Sequence, residues 1–347
     1  AVAFDAVRRG IETGVDTVGI DTAGLPERFF DRFMFNMHPT DTTAPAVITG
    51  FGVYPARGGA DGYVIATVGR EQRNLRFTAT AERVRTDGAG PLRFDVLEPH
   101  RQWRLRMAPN DISVEFDVTW CARTAPWIDG VTVANRAGDA TAFEHLFQSG
   151  RYTGWLRIDG IEHRVDGWYR QRDRSRGVRN MAGGQGLHLW LQAQFPAFCV
   201  GLLLVESRSH ERLLITGAVM HENGNLDAVR EVRHDLTFDT GLDLSAAELE
   251  IETVSGEMLR LHADGSAGGG YMAGGGYGRS HRVPVHSEHV ESDRYPLDGT
   301  VTPRSLVTAL TDRVCVFSTP ELTGTGVLEF AVTRSPDYRY RPTIADR

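Results

Sequence analysis

The chain has 347 residues, 41% of them apolar and 24% charged, enough apolar material for a substantial core and a length that fits two domains of roughly 150 residues each. Its formal charge of −7 argues against nucleic acid or an anionic membrane as the main partner. All 38 basic residues are arginine, which excludes a Schiff-base lysine, a P-loop lysine and pyridoxal phosphate attachment.

The first dozen residues form a short amphipathic pattern carrying acid and arginine, so a helix is expected there and no signal peptide. A second helix is expected over residues 26–33. Short β-branched or aromatic runs then follow at 46–49, 52–54 and 62–68, bounded by glycine as strands are. Residues 75–80, 103–107 and 112–120 alternate apolar with polar, the mark of half-buried strands. A polar stretch at 135–139 suggests a boundary, giving domains 1–145 and 146–347. A hairpin is expected around Asp159-Gly160, and further strands at 187–195, 200–205, 213–220, 229–238, 248–253, 258–262 and 326–332. A third helix is expected near 303–311. The longest apolar run, 195–205, is far short of the roughly 20 residues of a membrane span. Many strands with few helices predict an all-β chain of two antiparallel barrels or sandwiches.

Segment 264–280 holds eight glycines. Its relaxed match to a dinucleotide fingerprint (Gly268, Gly270, Ala273) lacks the following helix, so a mobile loop is expected. Tyr271, Met272 and Tyr277 would be its contacts if it acts as a lid.

Candidate chemistry concentrates in 150–180, where Asp173 sits among Arg172, Arg174, Arg176 and Arg179. A solvated turn with arginine pairs is one reading; an oriented base near a cavity mouth is the other, since arginines lower a carboxyl pKa. On the next strand His188, Trp190, Gln192 and Gln194 share one face while Leu187, Leu189 and Leu191 share the other. That fits either a wall between a dry core and a polar cavity or an outer polar face. Glu222, beside His221 before the Asn223-Gly224 turn, is a second candidate acid or an exposed hairpin end. Asn36, His38 and Asn74 are polar groups beside apolar strands, either turn-stabilising or facing a cavity. His281, His286 and His289 form the densest histidine cluster, read as solvated loop histidines because their spacing does not suit a helical zinc motif. The three distant cysteines (Cys121, Cys199, Cys315) support neither a disulfide framework nor a four-cysteine zinc site, and a cytoplasmic home is expected. With no nucleotide or metal motif, cofactor-free chemistry or no chemistry is expected.

Several of these segments resemble a known family. Residues 32–38, 52–55, Asp61-Gly62 and 72–76, then Gly150-Arg151-Tyr152, 154–160, Asp166-Gly167 and 172–179, are similar to the carotenoid 1,2-hydratase (hydroxyneurosporene synthase) and AttH superfamily. The last stretch looks like that group's Asp-His/Arg-Ser/Asn-Trp-Gly-x-Arg, with Arg176 in place of the tryptophan. His188-x-Trp190 and the closing segment 324–329 also fit. The resemblance covers about residues 25 to 335 and implies two lipocalin-like domains around a hydrophobic cavity.

It further implies cofactor-free action on a polyene or terpenoid-like molecule, by water addition to an alkene or by pericyclic cyclisation. The reading is therefore a cofactor-independent lyase or isomerase of the hydratase or dehydratase type, acting on a hydrophobic terpenoid-like or aromatic small molecule. A pericyclic cyclase and a non-catalytic hydrophobic-ligand binding protein are the alternatives. Glu222 or Asp173 would carry the proton, His188 the water, and Tyr169 with Trp190 the aromatic wall that stabilises a cation. Trp168, Tyr152, Arg172, Arg174, Tyr54, Asn74 and Tyr271 would contact the substrate.

Overall fold

A computed structural model describes residues 25–41, 45–80, 88–134, 140–179, 184–279 and 288–344. The expected helix in the first dozen residues, the polar stretch 135–139, and His281 and His286 lie outside the described residues. Among the described residues the only helical pieces are three short 3₁₀ turns, Pro55–Arg57, Gly265–Ala267 and Met272–Gly275.

Two antiparallel sheets make up the chain. The first contains β1 (Phe29–Met37), β2 (Ala46–Tyr54), β3 (Gly59–Val68), β4 (Glu71–Thr80), β5 (Gly88–Ala89), β6 (Leu92–Glu98), β7 (Gln102–Met107), β8 (Val114–Ala122), β9 (Trp127–Ala134), β10 (Ala140–Ile158) and β11 (Ile161–Val178). The second contains β12 (Gln185–Gln194), β13 (Phe198–Ser207), β14 (Arg212–His221), β15 (Leu226–Phe238), β16 (Leu244–Thr253), β17 (Met258–Asp264), β18 (Gly269–Tyr271), β20 (Thr311–Ser318) and β21 (Thr323–Val332). β19 (His289–Pro296) leaves the second half of the chain and pairs with β4 at the edge of the first sheet.

The second sheet runs β17-β16-β15-β14-β13-β12-β21-β20, and pairing of β17 with β20 closes it into an eight-stranded barrel. The first runs β19-β4-β3-β2-β1-β11-β10-β8-β7-β6-β5, with β9 also on β10. It curls far enough that Phe33 on β1 packs edge-on against Phe94 on β6 and Trp103 on β7. The all-β, two-unit architecture expected from the sequence is therefore present.

Strand alternation places the cores. Leu187, Leu189 and Leu191 point into the closed barrel, while Trp190 points out of it into a third apolar cluster with Phe30, Met34 and Phe147 of the first sheet. Each fully buried leucine is worth about 1.5–3 kcal/mol, so the leucine face fixes the register of β12. A one-residue slip would turn it outward.

Three expectations fail. Residues 26–33 form a turn closed by the Phe29 N–H donating to the Pro26 carbonyl, then the start of β1. Both faces of that strand are buried, so its apolar run resembles a helix face. Around 303–311 the chain turns and pairs without forming an α-helix. The boundary expected between residues 145 and 146 falls inside β10, whose nineteen residues pair with β11 and complete the first sheet. The chain passes to the second sheet only after β11.

Candidate functional site

Directly opposed residues of antiparallel strands point to the same face. In the first sheet Phe147, Asp173, Met34, Gly50, Tyr63 and Arg76 lie in one row across β10, β11, β1, β2, β3 and β4. In the second, Leu203, Trp190, Glu329, Asp312 and Gly270 lie in one row across β13, β12, β21, β20 and β18. The two rows meet where the sheets pack. There Trp190 Nε1 donates to Asp173 Oδ2 at 2.9 Å, and His145 Nε2 donates to the same oxygen at 2.7 Å. The His145 ring lies 4.3 Å from the Phe147 ring, centroid to centroid, which fixes its plane.

Two further carboxyl groups face this junction. Glu329 Oε1 accepts from His188 Nε2 at 2.8 Å. Beside it Asp312 is fully buried, with the Glu329 carboxyl as its hydrogen-bond partner. Burial, then the Glu329 charge and more distantly that of Asp173, push Asp312 well above the usual carboxylate range. Burial also opposes charge on Glu329, but the hydrogen bond and charge of His188, with Arg179 further away, hold it below the ordinary value. The pair is thus a neutral acid beside a carboxylate. Two buried like charges in contact cannot both persist, and one takes the proton.

One row further along the first sheet, Arg32 Nη1 donates to Asp61 Oδ1 at 2.6 Å and to the Tyr54 hydroxyl at 2.7 Å. Two glycines of β2 make room. A Cβ on Gly52 would stand 2.7 Å from Arg32 Nη1, and one on Gly50 would stand 2.7 Å from the Tyr63 ring. Both long side chains therefore lie flat across the sheet. Above them comes the glycine-rich segment, buried from Gly269 to Gly276. A Cβ on Gly275 would stand 2.9 Å from the Tyr63 ring, and Tyr277 packs edge-on against that ring. The Thr67 hydroxyl donates to the Gly269 carbonyl, and Gln72 exchanges two hydrogen bonds with the Tyr271 backbone. Where a mobile loop is expected from the sequence, the segment is a buried wedge between the sheets. A cavity of about 110 Å³, lined by Arg28, Phe29, Phe30, Tyr54, Arg57 and Arg179, opens beside this polar group.

The structure brings Asp173, His188 and Trp190 to one junction and sets Tyr54 in the apolar cluster that Trp190 enters. It places the other candidates elsewhere. Glu222 accepts from Arg123 and Arg151, whose guanidinium groups lie over the Tyr169 ring. That cluster borders a groove of about 690 Å³ with Glu98, His100 and Cys121. Tyr152 is in the core of the first sheet and Trp168 packs against it. Arg172 is buried between the faces of Trp103 and Trp120, and Arg174 forms a two-pronged pair with Asp31. Both arginines project from the opposite face of β11 to Asp173. Asn74 bonds Gln72 and Asp293, and the Tyr271 hydroxyl donates to Asp243. His289 is exposed and pairs with Glu291. Among the described residues no group of three histidine, cysteine or acidic side chains could hold a metal.

Sequence reading missed His145, Asp312, Glu329, Arg32 and Tyr63. A signal existed for Glu329, a lone acid between Leu328 and Phe330 in an apolar strand. Acids so placed are rarely buried without a specific role or partner.

Known structures show the same architecture. A protein assigned as AttH from Nitrosomonas europaea superposes with a TM-score of 0.61 at 11% identity, over 88% of this chain and 92% of that one. Kievitone hydratase from Nectria haematococca superposes at 0.53 and 10% identity, over 91% and 93%. The likeness is one of fold, and it agrees with the AttH-like, lipocalin-like resemblance read from the sequence. No curated protein matches the chain in sequence. A family model does match, over residues 18–336, and the chain belongs to that family, described as a family of unknown function (DUF8625).

Proposed function

We propose that the chain is a cofactor-independent enzyme that adds water to, or eliminates it from, an alkene in a hydrophobic small molecule. The observation that carries this reading is Asp312: a fully buried acid beside a charge-holding Glu329–His188 pair, at a junction shared with Asp173. Hydration needs a proton donor at carbon and a base that takes a proton from water. Asp312 fits the first task, since burial and the neighbouring Glu329 charge favour its protonated form. Asp173 fits the second, with His145 and Trp190 fixing its orientation. Phe30, Phe147, Met34 and Trp190 supply the apolar surround. Elimination or isomerisation would use the same groups in reverse. A protein of this fold bears the name hydratase, which supports the reaction class without naming a substrate.

No helix among the described residues is long and apolar enough to cross a membrane. The three free cysteines support a reducing compartment, and we place the protein in the cytoplasm on that ground.

The test is incubation in deuterium oxide with terpenoid alkenes, tertiary alcohols and aryl-propane diols, read by mass spectrometry. Deuterium at carbon with gain or loss of water, abolished in Asp312→Asn and Asp173→Asn, is the expected result. Skeletal rearrangement without deuterium would favour a cyclase instead, and tight binding without conversion a carrier.

A further inference from the structure

Arg32 is a further charged group buried near this junction, and acid–base chemistry leaves it unused. Its side chain is only 9% exposed. Three other arginine–aspartate pairs of the chain are two-pronged, Arg174 with Asp31, Arg73 with Asp159, and Arg104 with Asp117, each using two nitrogens, whereas Arg106 meets Asp95 through one. That geometry is the normal one for an arginine whose task is to hold a carboxylate. Arg32 departs from it. Nη1 makes the bonds to both Asp61 and Tyr54, and Nη2 is buried with no hydrogen-bond partner. A buried charged donor left unmade is costly.

The guanidinium is held in this pose by the Tyr63 and Tyr277 rings, whose centroids lie 5.8 and 5.4 Å from it. Tyr63 lies across Gly50, which carries its hydroxyl toward Met34 and the Asp173 row. Burial, then the charge of Tyr277 and a hydrogen bond to it, raise that phenol well above its usual value, so it stays protonated and its donor passes from Tyr277 to a bound acceptor; both Arg32 and Asp312 act on it electrostatically.

We propose that Arg32 Nη2 and the Tyr63 hydroxyl bind an acceptor oxygen of the substrate, and that this oxygen is a neutral carbonyl conjugated to the reacting alkene. The proposal rests on the acid–base reading above and names its substrate class: an enone, or its β-hydroxy ketone in the reverse direction. A carboxylate would bring a second negative charge beside Asp61, whereas a carbonyl does not. A conjugated carbonyl also gives the donors something to stabilise, because negative charge develops on its oxygen during the reaction. The water oxygen bonds to the β-carbon while its proton passes to Asp173. The alkene electron pair moves to the carbonyl oxygen, forming an enolate held by Arg32 and Tyr63. The enolate collapses as Asp312 protonates the α-carbon, and the proton on Asp173 then restores Asp312. Water is added and no other reactant is consumed.

Mesityl oxide, isotopically labelled at its carbonyl carbon, is the probe, with 2-methylpent-2-ene as the oxygen-free alkene of the same skeleton. The wild type should move the labelled resonance downfield and hydrate the enone but not the hydrocarbon. Arg32→Gln and Tyr63→Phe should each lose the shift and lower turnover by about 10²- to 10³-fold, the usual cost of one oxyanion donor. Tyr63→Phe keeps the ring over Gly50, so it reports even if Arg32→Gln does not fold. Asp312→Asn should keep the shift and lose turnover. Hydration of the hydrocarbon as fast as the enone would overturn the proposal and leave the acid–base reading standing, as would a shift that survives both donor variants. A shift lost in both donor variants, with no conversion by any protein, would support the carbonyl subsite and overturn the acid–base reading. Absence of any shift on the wild type overturns the subsite.

Discussion

Replacing Gly50 by alanine tests the junction with a single methyl group. The added Cβ would stand 2.7 Å from Tyr63 Cε1 and 2.8 Å from its hydroxyl. Ordinary contact between such atoms is about 3.5–4.0 Å, so the ring must move by about 1 Å. It cannot simply lift away: Gly275 approaches from the other side, where even a Cβ would be 2.9 Å from the ring, and Tyr277 closes the edge. Overpacking of this kind costs about 1–3 kcal/mol. A shift of about 1 Å in a group that positions substrate can cost about 10²-fold in rate. Gly50→Ala should therefore lose much more activity than its modest loss of stability implies, read by urea unfolding and by hydration of the labelled enone. Gly184→Ala is the control, because nothing lies within 4 Å of the added methyl, and it should stay within about 0.5 kcal/mol of wild type. A Gly50→Ala protein with wild-type stability and turnover would refute the claim that Tyr63 is clamped between the two glycines.

Three further outcomes follow from the same geometry. Asp312 has a folded-state pKa raised above the 3.8 of an exposed aspartate; its contribution to stability is full below that value and is lost as the pH rises through the folded value. Asp312→Asn should therefore flatten the decline of the urea midpoint with rising pH while abolishing turnover. Because Glu329 is shifted the other way and the two are neighbours, the midpoint curve reports the pair rather than either residue. Trp190→Phe keeps an aromatic ring but deletes the donor to Asp173. It should cost about 1.5–3 kcal/mol, as bonds to charged acceptors do, and slow turnover without altering the carbonyl shift. Glu222→Gln removes a carboxylate about one-third exposed among Arg123 and Arg151. It should leave turnover unchanged and cost at most about 1 kcal/mol by equilibrium unfolding.

Which way His188 and Trp190 point was legible because β12 carries a period-two pattern with uniform leucine on the other side. Asp173 was legible as a candidate from its setting among arginines, yet those arginines turned out to face the other way. Arg172 and Arg174 serve the far face of β11 and its core. Neighbours in a strand alternate sides, so a dense local charge run mixes two environments. Asp312 was not legible for the complementary reason. Its partners Glu329, Asp173 and Tyr63 come from three other strands and meet only through pairing and sheet packing. The glycine-rich segment was misread because glycine signals close backbone approach as readily as mobility. Gly269 has φ +155, and a Cβ there would run into the Asp312 carbonyl. Only glycine lets β18 lie against β20 at that point.

The acid and the base of the proposed reaction belong to different sheets, and this explains the investment of buried polar contacts at their junction. Asp312, Glu329 and His188 are set by the closed barrel, while Asp173, His145, Arg32 and Tyr63 are set by the curled sheet. Packing of apolar side chains alone would let two such surfaces slide, because dispersion contacts have little directionality. The hydrogen bonds that cross the junction are directional, among them Trp190 to Asp173, Gln192 to the Arg172 carbonyl, Gln194 to Gln171, and Thr67 and Gln72 to the glycine wedge. In the proposed reaction the separation of proton donor and proton acceptor is thereby set by side chains that carry neither the transferred proton nor the water.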